Sequence, residues 1–182
     1  MLQKPPLRQA AKRCATFMKN TLTIILILIR FLTFGQENKL AEIDNEVNSI
    51  DKDSILTIKE FNLENQTLKV WLNDKNQILK IVENRNVNYG EIKSTIYLRG
   101  TKPIKTIESE NVYFWLPDSL AKIKGYSIDL KEEYTATSYI LNWNKKERKL
   151  IITGKLTGES NISFELKKYE GIIRRSKNLI SE

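Results

Sequence analysis

Trp71 and Tyr97 are the residues of this chain most suited to binding chemistry. In QTLKVWLN, Leu68, Val70 and Leu72 alternate with Thr67, Lys69 and Trp71. One face of such a strand is apolar, and the other carries the indole among polar and basic groups. Tyr97 holds the same place in a second segment, IKSTIYLRG, beside Lys93 and Arg99. A row of rings and cations on a sheet can stack a sugar or hold an extended peptide. Trp71, Tyr97, Lys69 and Arg99 are therefore the candidate ligand-binding residues. A second arrangement is open: the helix carrying Leu40, Ile43, Val47 and Ile50 could cover this face and make Trp71 part of a core.

Catalytic chemistry finds few residues to use. The chain has no histidine, which removes the commonest general base and the commonest transition-metal ligand. Its one cysteine, Cys14, lies ahead of an apolar run, outside the folded part. Neither a Ser-His-Asp nor a Cys-His mechanism can be assembled. No metal or cofactor is expected, zinc, copper and haem included. Glu132 and Glu133 are adjacent, so on a strand they face opposite sides. Asp51-x-Asp53 lacks the central glycine and terminal glutamate of a calcium loop. The seven glycines form neither GxGxxG nor a P-loop. A carboxylate-dependent hydrolase needs only two acids at a suitable separation. It stays as an alternative for which the sequence singles out no residue.

The charge belongs mostly to the start of the chain. Lys and Arg number 30 against 22 Asp and Glu, a net of +8. Six of the basic residues and none of the acids precede Glu37, which leaves 24 against 22, a net of +2. A near-neutral domain lacks the basic footprint of a nucleic-acid binder. Residues Thr21–Phe34 (TLTIILILIRFLTF) are apolar but for Arg30, and too short for a span of about 20 residues. Met18-Lys19-Asn20 before this run, and Gly35 after it, give the layout of a secretory signal peptide. The expectation is a signal peptide over residues 1–35, with 18–35 the signal proper and 1–17 an over-long start or extended basic region, cleavage before Gln36 or Glu37, and no stable membrane span thereafter; an uncleaved N-terminal anchor helix is the alternative. Without cysteine, the roughly 145 residues that follow depend on a packed core.

The elements follow from periodicity. Leu40, Ile43, Val47 and Ile50 form one helical stripe over Asn38–Ile50. Strands are expected at Ser54–Phe61, Gln66–Asn73, Gln77–Glu83, Ile92–Arg99, Ile104–Ser109 and Val112–Leu116. Asn73-Asp74-Lys75-Asn76 and Gly100-Thr101-Lys102-Pro103 are turns. A short helical turn after Pro117 ends at Gly125. Further strands are expected at Tyr126–Leu130, Thr135–Trp143, Arg148–Thr153 and Asn161–Tyr169, with a frayed tail after Gly171. Trp71/Tyr97, Leu72/Leu98, Ile78/Ile104 and Ile81/Ile107 are each 26 apart, which suggests one hairpin unit used twice.

The helix NKLAEIDNEVNSID and the hairpins LKVWLNDKNQILKI and STIYLRGTKPIKTI, behind an export signal, resemble small exported bacterial proteins of unassigned function. The resemblance spans residues 18–116. The hairpins also look like the strand-turn-strand units of MORN-type repeats, but without their regular glycines; Gly100 alone sits in a turn. No catalytic or binding residue is carried over.

The expected fold is α+β: an N-terminal amphipathic helix followed by an antiparallel meander sheet of hairpins. It forms a single β-rich domain over 36–170, with a flexible tail over 171–182. The expected role is an exported, periplasmic or secreted, non-enzymatic binding or inhibitor-like module of the bacterial envelope. Its partner would be an unknown protein or an envelope glycan, not nucleic acid. A structural or assembly component of the envelope is the alternative, with an uncovered sheet edge or a homo-oligomer as its sign.

Overall fold

The computed structural model describes residues 37–155 and 166–181. The expected signal peptide, the turn at Gly158–Ser160 and the first half of the strand expected over Asn161–Tyr169 lie outside the described residues. Helix α1 spans 37–52. Seven strands follow: β1 Thr57–Leu63, β2 Gln66–Leu72, β3 Ile78–Val87, β4 Gly90–Arg99, β5 Lys102–Trp115, β6 Ile128–Asn142 and β7 Glu147–Gly154. Helix α2 (Asp118–Lys124) lies between β5 and β6, and α3 (Leu166–Ser181) comes last. Contacts divide the chain after Glu42, and the residues from Ile43 onward form the body described below.

The seven strands make one sheet in chain order, each neighbouring pair antiparallel. The class is α+β with a meander sheet. Alternation gives this sheet two apolar faces. On one, Leu68, Val70, Ile81, Ile96 and Leu98 pack beneath Leu166, Tyr169, Ile172 and Ile173 of α3. On the other, Tyr97 and Ile104 pack beneath Ile43, Val47 and Ile50 of α1.

Both helices cross the strands, and both are fastened by charges seven residues apart. Seven helical residues rise about 10.5 Å. Two strand spacings amount to about 9.6 Å. One such helix therefore reaches two strands that have a third between them. On α1, Asp44 receives Lys105 of β5 and Asp51 receives Lys80 of β3, each at 2.6 Å. On α3, Lys168 binds Glu108 of β5 and Arg175 binds Glu83 of β3.

Two expectations are corrected at the end of the chain. In their described parts, residues 166–169 of the strand expected over Asn161–Tyr169 and residues 171–181 of the expected flexible tail are helix α3, which runs to Ser181. Leu166, Tyr169, Ile172, Ile173 and Ser176 form a buried helical stripe. That stripe orders the segment because the sheet's second face needs a cover. Gly171 reads as a breaker but lies inside the helix, and an added Cβ there would meet nothing described within 4 Å. Gly171→Ala is expected to stabilise the protein by about 0.5–1 kcal/mol, because glycine loses more backbone freedom on folding. A rise of about 1–4 °C in the thermal midpoint should follow. An unchanged or lower midpoint would count against an ordered α3.

The 26-residue spacing does not carry through as a structural repeat. In the first hairpin Leu72 pairs with Ile78; in the second, Leu98 pairs with Pro103. The second loop is one residue shorter. A one-residue slip sends a strand's side chains to the other face. Ile78 and Ile81 accordingly lie in the core under α3, while Ile104 and Ile107 lie on the α1 side.

Candidate functional site

Alternation puts Lys69, Trp71, Tyr97 and Arg99 on one side of the sheet, as expected, and α1 lies over that side. Tyr97 is 4% exposed. Its hydroxyl donates to Asp51 Oδ2 at 2.9 Å. Burial, then this bond, pushes its phenol well above the ordinary 10.0. Trp71 is half-buried, with Lys80 Nζ 4.9 Å from its ring centroid and 5.3 Å from that of Tyr97. Arg99 Nε donates to Glu46 Oε2 at 2.9 Å. Lys69 pairs with Glu60 of β1 at 3.0 Å. Of the two arrangements open to this face, the structure has the covered one. The physical reason is that the stripe of Ile43, Val47 and Ile50 needs an apolar surface, and Tyr97 with Ile104 supplies it.

The same cluster recurs one step along α1. Asp44 takes Lys105 Nζ at 2.6 Å and the Tyr139 hydroxyl at 3.0 Å, and Lys105 sits 4.7 Å from the Tyr139 ring centroid. Each Asp-Lys-Tyr set satisfies its own charges and fixes the helix.

Under α3 the sheet buries acids. Glu108 is 2% exposed; it binds Lys168 and accepts from Ser94 Oγ and the Tyr134 hydroxyl, both at 3.4 Å. Glu83 binds Arg175. Glu110 is also buried, next on the same face as Glu108. No group of three or more His, Cys, Asp or Glu side chains among the described residues could hold a metal ion.

The surface that stands out lies where β5 and β6 outrun their neighbours. β4 pairs with β5 only as far as Gly90↔Val112, and β7 pairs with β6 only as far as Gly154↔Tyr134. β5 and β6 continue together to Trp115↔Ile128. Glycines stand where they part company. A Cβ on Gly90 would lie 1.9 Å from the Asn111 carbonyl oxygen, and one on Gly154 would lie 2.1 Å from that of Glu133. Glu133 is the extra residue at a register shift between Glu110 and Asn111, a bulge that re-aims the pair. Past it, β5 and β6 form a two-stranded arm tipped by α2.

This arm presents apolar side chains to solvent. Tyr113 pairs with Leu130 and Trp115 with Ile128, so all four share a face. All are exposed, Trp115 at 75%, as are Leu120 and Ile123 of α2. The tip is a built structure. Gly125, in the left-handed region at φ 77°, donates its N–H to the Ala121 carbonyl and ends α2. Lys124 binds Asp129 at 2.6 Å and holds that carboxyl below the usual carboxylate range. The signal available in the sequence was VYFWL, large on both faces of one strand. The structure leaves the face of Tyr113 and Trp115 open.

What this ribbon offers is exposed apolar area. No helix among the described residues is long and apolar enough to cross a membrane. Comparison with known proteins finds no similar family model, curated protein or solved structure.

Proposed function

We propose that this protein is an exported, non-enzymatic binding module of the bacterial envelope, and that it engages a protein partner through the β5–β6 arm. The supporting observation is the exposed cross-strand cluster of Tyr113, Trp115, Ile128 and Leu130. Contiguous apolar patches of this kind mark interaction surfaces in soluble domains. Aromatic anchors supply most of the energy when such a patch is covered. The aliphatic members favour a protein over a glycan, since Ile128, Leu130 and Ile123 offer a sugar neither a flat ring nor a hydrogen bond. The envelope setting rests on the basic, apolar and small-residue order of residues 18–35.

Site-specific photocrosslinking in the native envelope tests this reading. A photoreactive residue in place of Trp115 or Leu130 should give a discrete adduct with a partner protein. The same residue at exposed Lys59 on β1 should not. Ile128→Glu should abolish the adduct while leaving the thermal midpoint within about 2 °C, as for an exposed position. Equal labelling at all three positions would sink the arm as the contact surface. Intact, unprocessed chain in the cytosol would sink the envelope setting.

The structural reading has one observation in its favour. β1 and β7 are the two ends of the sheet order, and Ile151 and Ile152 of β7 are exposed. A concentration-dependent rise in mass by light scattering, removed by Ile151→Lys, would favour it over the arm.

A further inference from the structure

We infer that the groove between α3 and the hairpin turns is a binding site for an amphiphilic anion, an alkyl chain bearing one carboxylate. This is independent of the arm, which lies at the other end of β5 and β6.

The groove has two lobes. The first, of about 330 Å³, runs between the Asn73–Gln77 and Gly100–Thr101 turns and the last turn of α3, with Ile78, Leu98 and Ile180 as its apolar walls. The second, of about 230 Å³, lies between Trp143, Ile173 and Arg174. Thr101 and Lys177 line both lobes, so the two adjoin. The first volume is within the range of small-molecule sites.

The charges in the groove are unbalanced. Glu170 lines the second lobe but is bound to Lys146, which also stacks 4.4 Å from the Trp143 ring centroid. Arg174 and Lys177 have no ion pair among the described residues. They stand three apart on one helix, about 5–6 Å between Cβ atoms, where like charges repel. An anion seated between them removes that repulsion and adds charge-assisted hydrogen bonds. From there an alkyl chain reaches the lobe of Ile78, Leu98 and Ile180. Thr101 and the side-chain amide of Gln77 stand at its rim. Asn73 fixes Gln77 by donating to its Oε1 at 3.1 Å, which leaves the amide N–H groups turned elsewhere.

Octanoate is the probe. Titrated into the isotopically labelled protein, it should produce saturable shifts at the Gly100 and Thr101 amides and the Trp143 indole, without shifts at the Trp115 indole. Octanamide has the chain but lacks the charge, and acetate has the charge but lacks the chain. Each should bind about ten-fold more weakly or worse. Arg174→Gln with Lys177→Gln should weaken octanoate binding by about ten-fold, bringing it near the octanamide level. Both residues are exposed, so the fold should be retained, and amide spectra check this directly. Absence of saturable shifts at Gly100, Thr101 and Trp143 would overturn the site. So would equal binding of octanoate and octanamide, or unchanged octanoate binding by the double variant. Shifts confined to Trp115 would move the amphiphile to the arm, and the groove would lose its assignment.

Discussion

Lys168→Met should lower the unfolding free energy by about 3 kcal/mol, a large share of the roughly 5–15 kcal/mol that holds a domain together. Glu108 is 2% exposed and Lys168 is its cation. Removing the ammonium leaves a carboxylate inside the sheet–helix layer, with neutral partners such as the Ser94 and Tyr134 hydroxyls at 3.4 Å. Losing one partner of a buried pair typically costs about 3–5 kcal/mol. The lower figure applies because the Lys168 side chain is 28% exposed, so water already reaches its end. The double variant Lys168→Met with Glu108→Gln should recover most of the loss, because the buried charge is then gone as well. Lys69→Met is the control. That side chain and its partner Glu60 are 41% and 45% exposed, so the loss should stay below about 1 kcal/mol. Urea denaturation of the four proteins measures all three changes. A Lys168→Met midpoint indistinguishable from that of Lys69→Met would mean that Glu108 does not need its cation.

What the sequence disclosed and what it hid divide along one physical line. Patterns that a single element satisfies on its own were legible. Ile43, Val47 and Ile50 give α1, and the buried Leu68, Val70 and Leu72 give β2, because periodicity alone fixes which side is apolar. The Asn73 turn was legible too: its Oδ1 accepts from Lys75 N at 3.0 Å and Gln77 N at 2.9 Å. Patterns that need a partner were not. Glu108 and Glu110 interrupt the apolar alternation of β5 and divide it into two apparent strands. They are buried in the structure because Lys168 and Tyr134 come from distant elements. Glu132-Glu133 divides β6 in the same way, and the bulge absorbs the extra residue.

The candidate site follows the same line. Spacing placed Lys69, Trp71, Tyr97 and Arg99 together, but only tertiary packing decides what lies over them, and α1 does. The arm was hidden because exposure depends on where neighbouring strands stop. Gly90 and Gly154 stand at those limits because a Cβ on either would lie 1.9 or 2.1 Å from a backbone oxygen, which no reading of composition reveals. The groove was hidden for a further reason. Trp143, Thr101 and Lys177 come from three separate segments. α3 read as a tail.

The fold is expected to lose its stability steeply above pH 10, with ionisation of its buried tyrosines and unfolding occurring as one event. Tyr169 lies in the core under α3, and burial, followed by the charge on Glu108, pushes it up to about 12 from the ordinary 10.0. Burial also raises Tyr134, with Glu108 and Glu110 close by, and raises Tyr97, which donates to Asp51. In the unfolded chain each loses its proton near 10. Between that pH and the folded value the native state holds protons that the unfolded chain has released. Stability therefore falls as pH rises. The contribution of Tyr169 is complete below 10 and is lost as pH passes through about 12. Across that window it removes about 1.4 kcal/mol per pH unit, and the other two remove about as much each. Together they should exhaust a stability of about 5–15 kcal/mol within a few pH units. Tyrosinate absorbance and far-UV circular dichroism are followed together against pH; the absorbance step that belongs to the buried Tyr97, Tyr134 and Tyr169 should coincide with the loss of dichroism. Tyr169→Phe should flatten the dependence by about 1.4 kcal/mol per pH unit, measured by urea unfolding at successive pH values. If all tyrosines ionise while the dichroism stays native, these phenols are not sealed by the two helices, and the burial of Tyr97, Tyr134 and Tyr169 would have to be withdrawn.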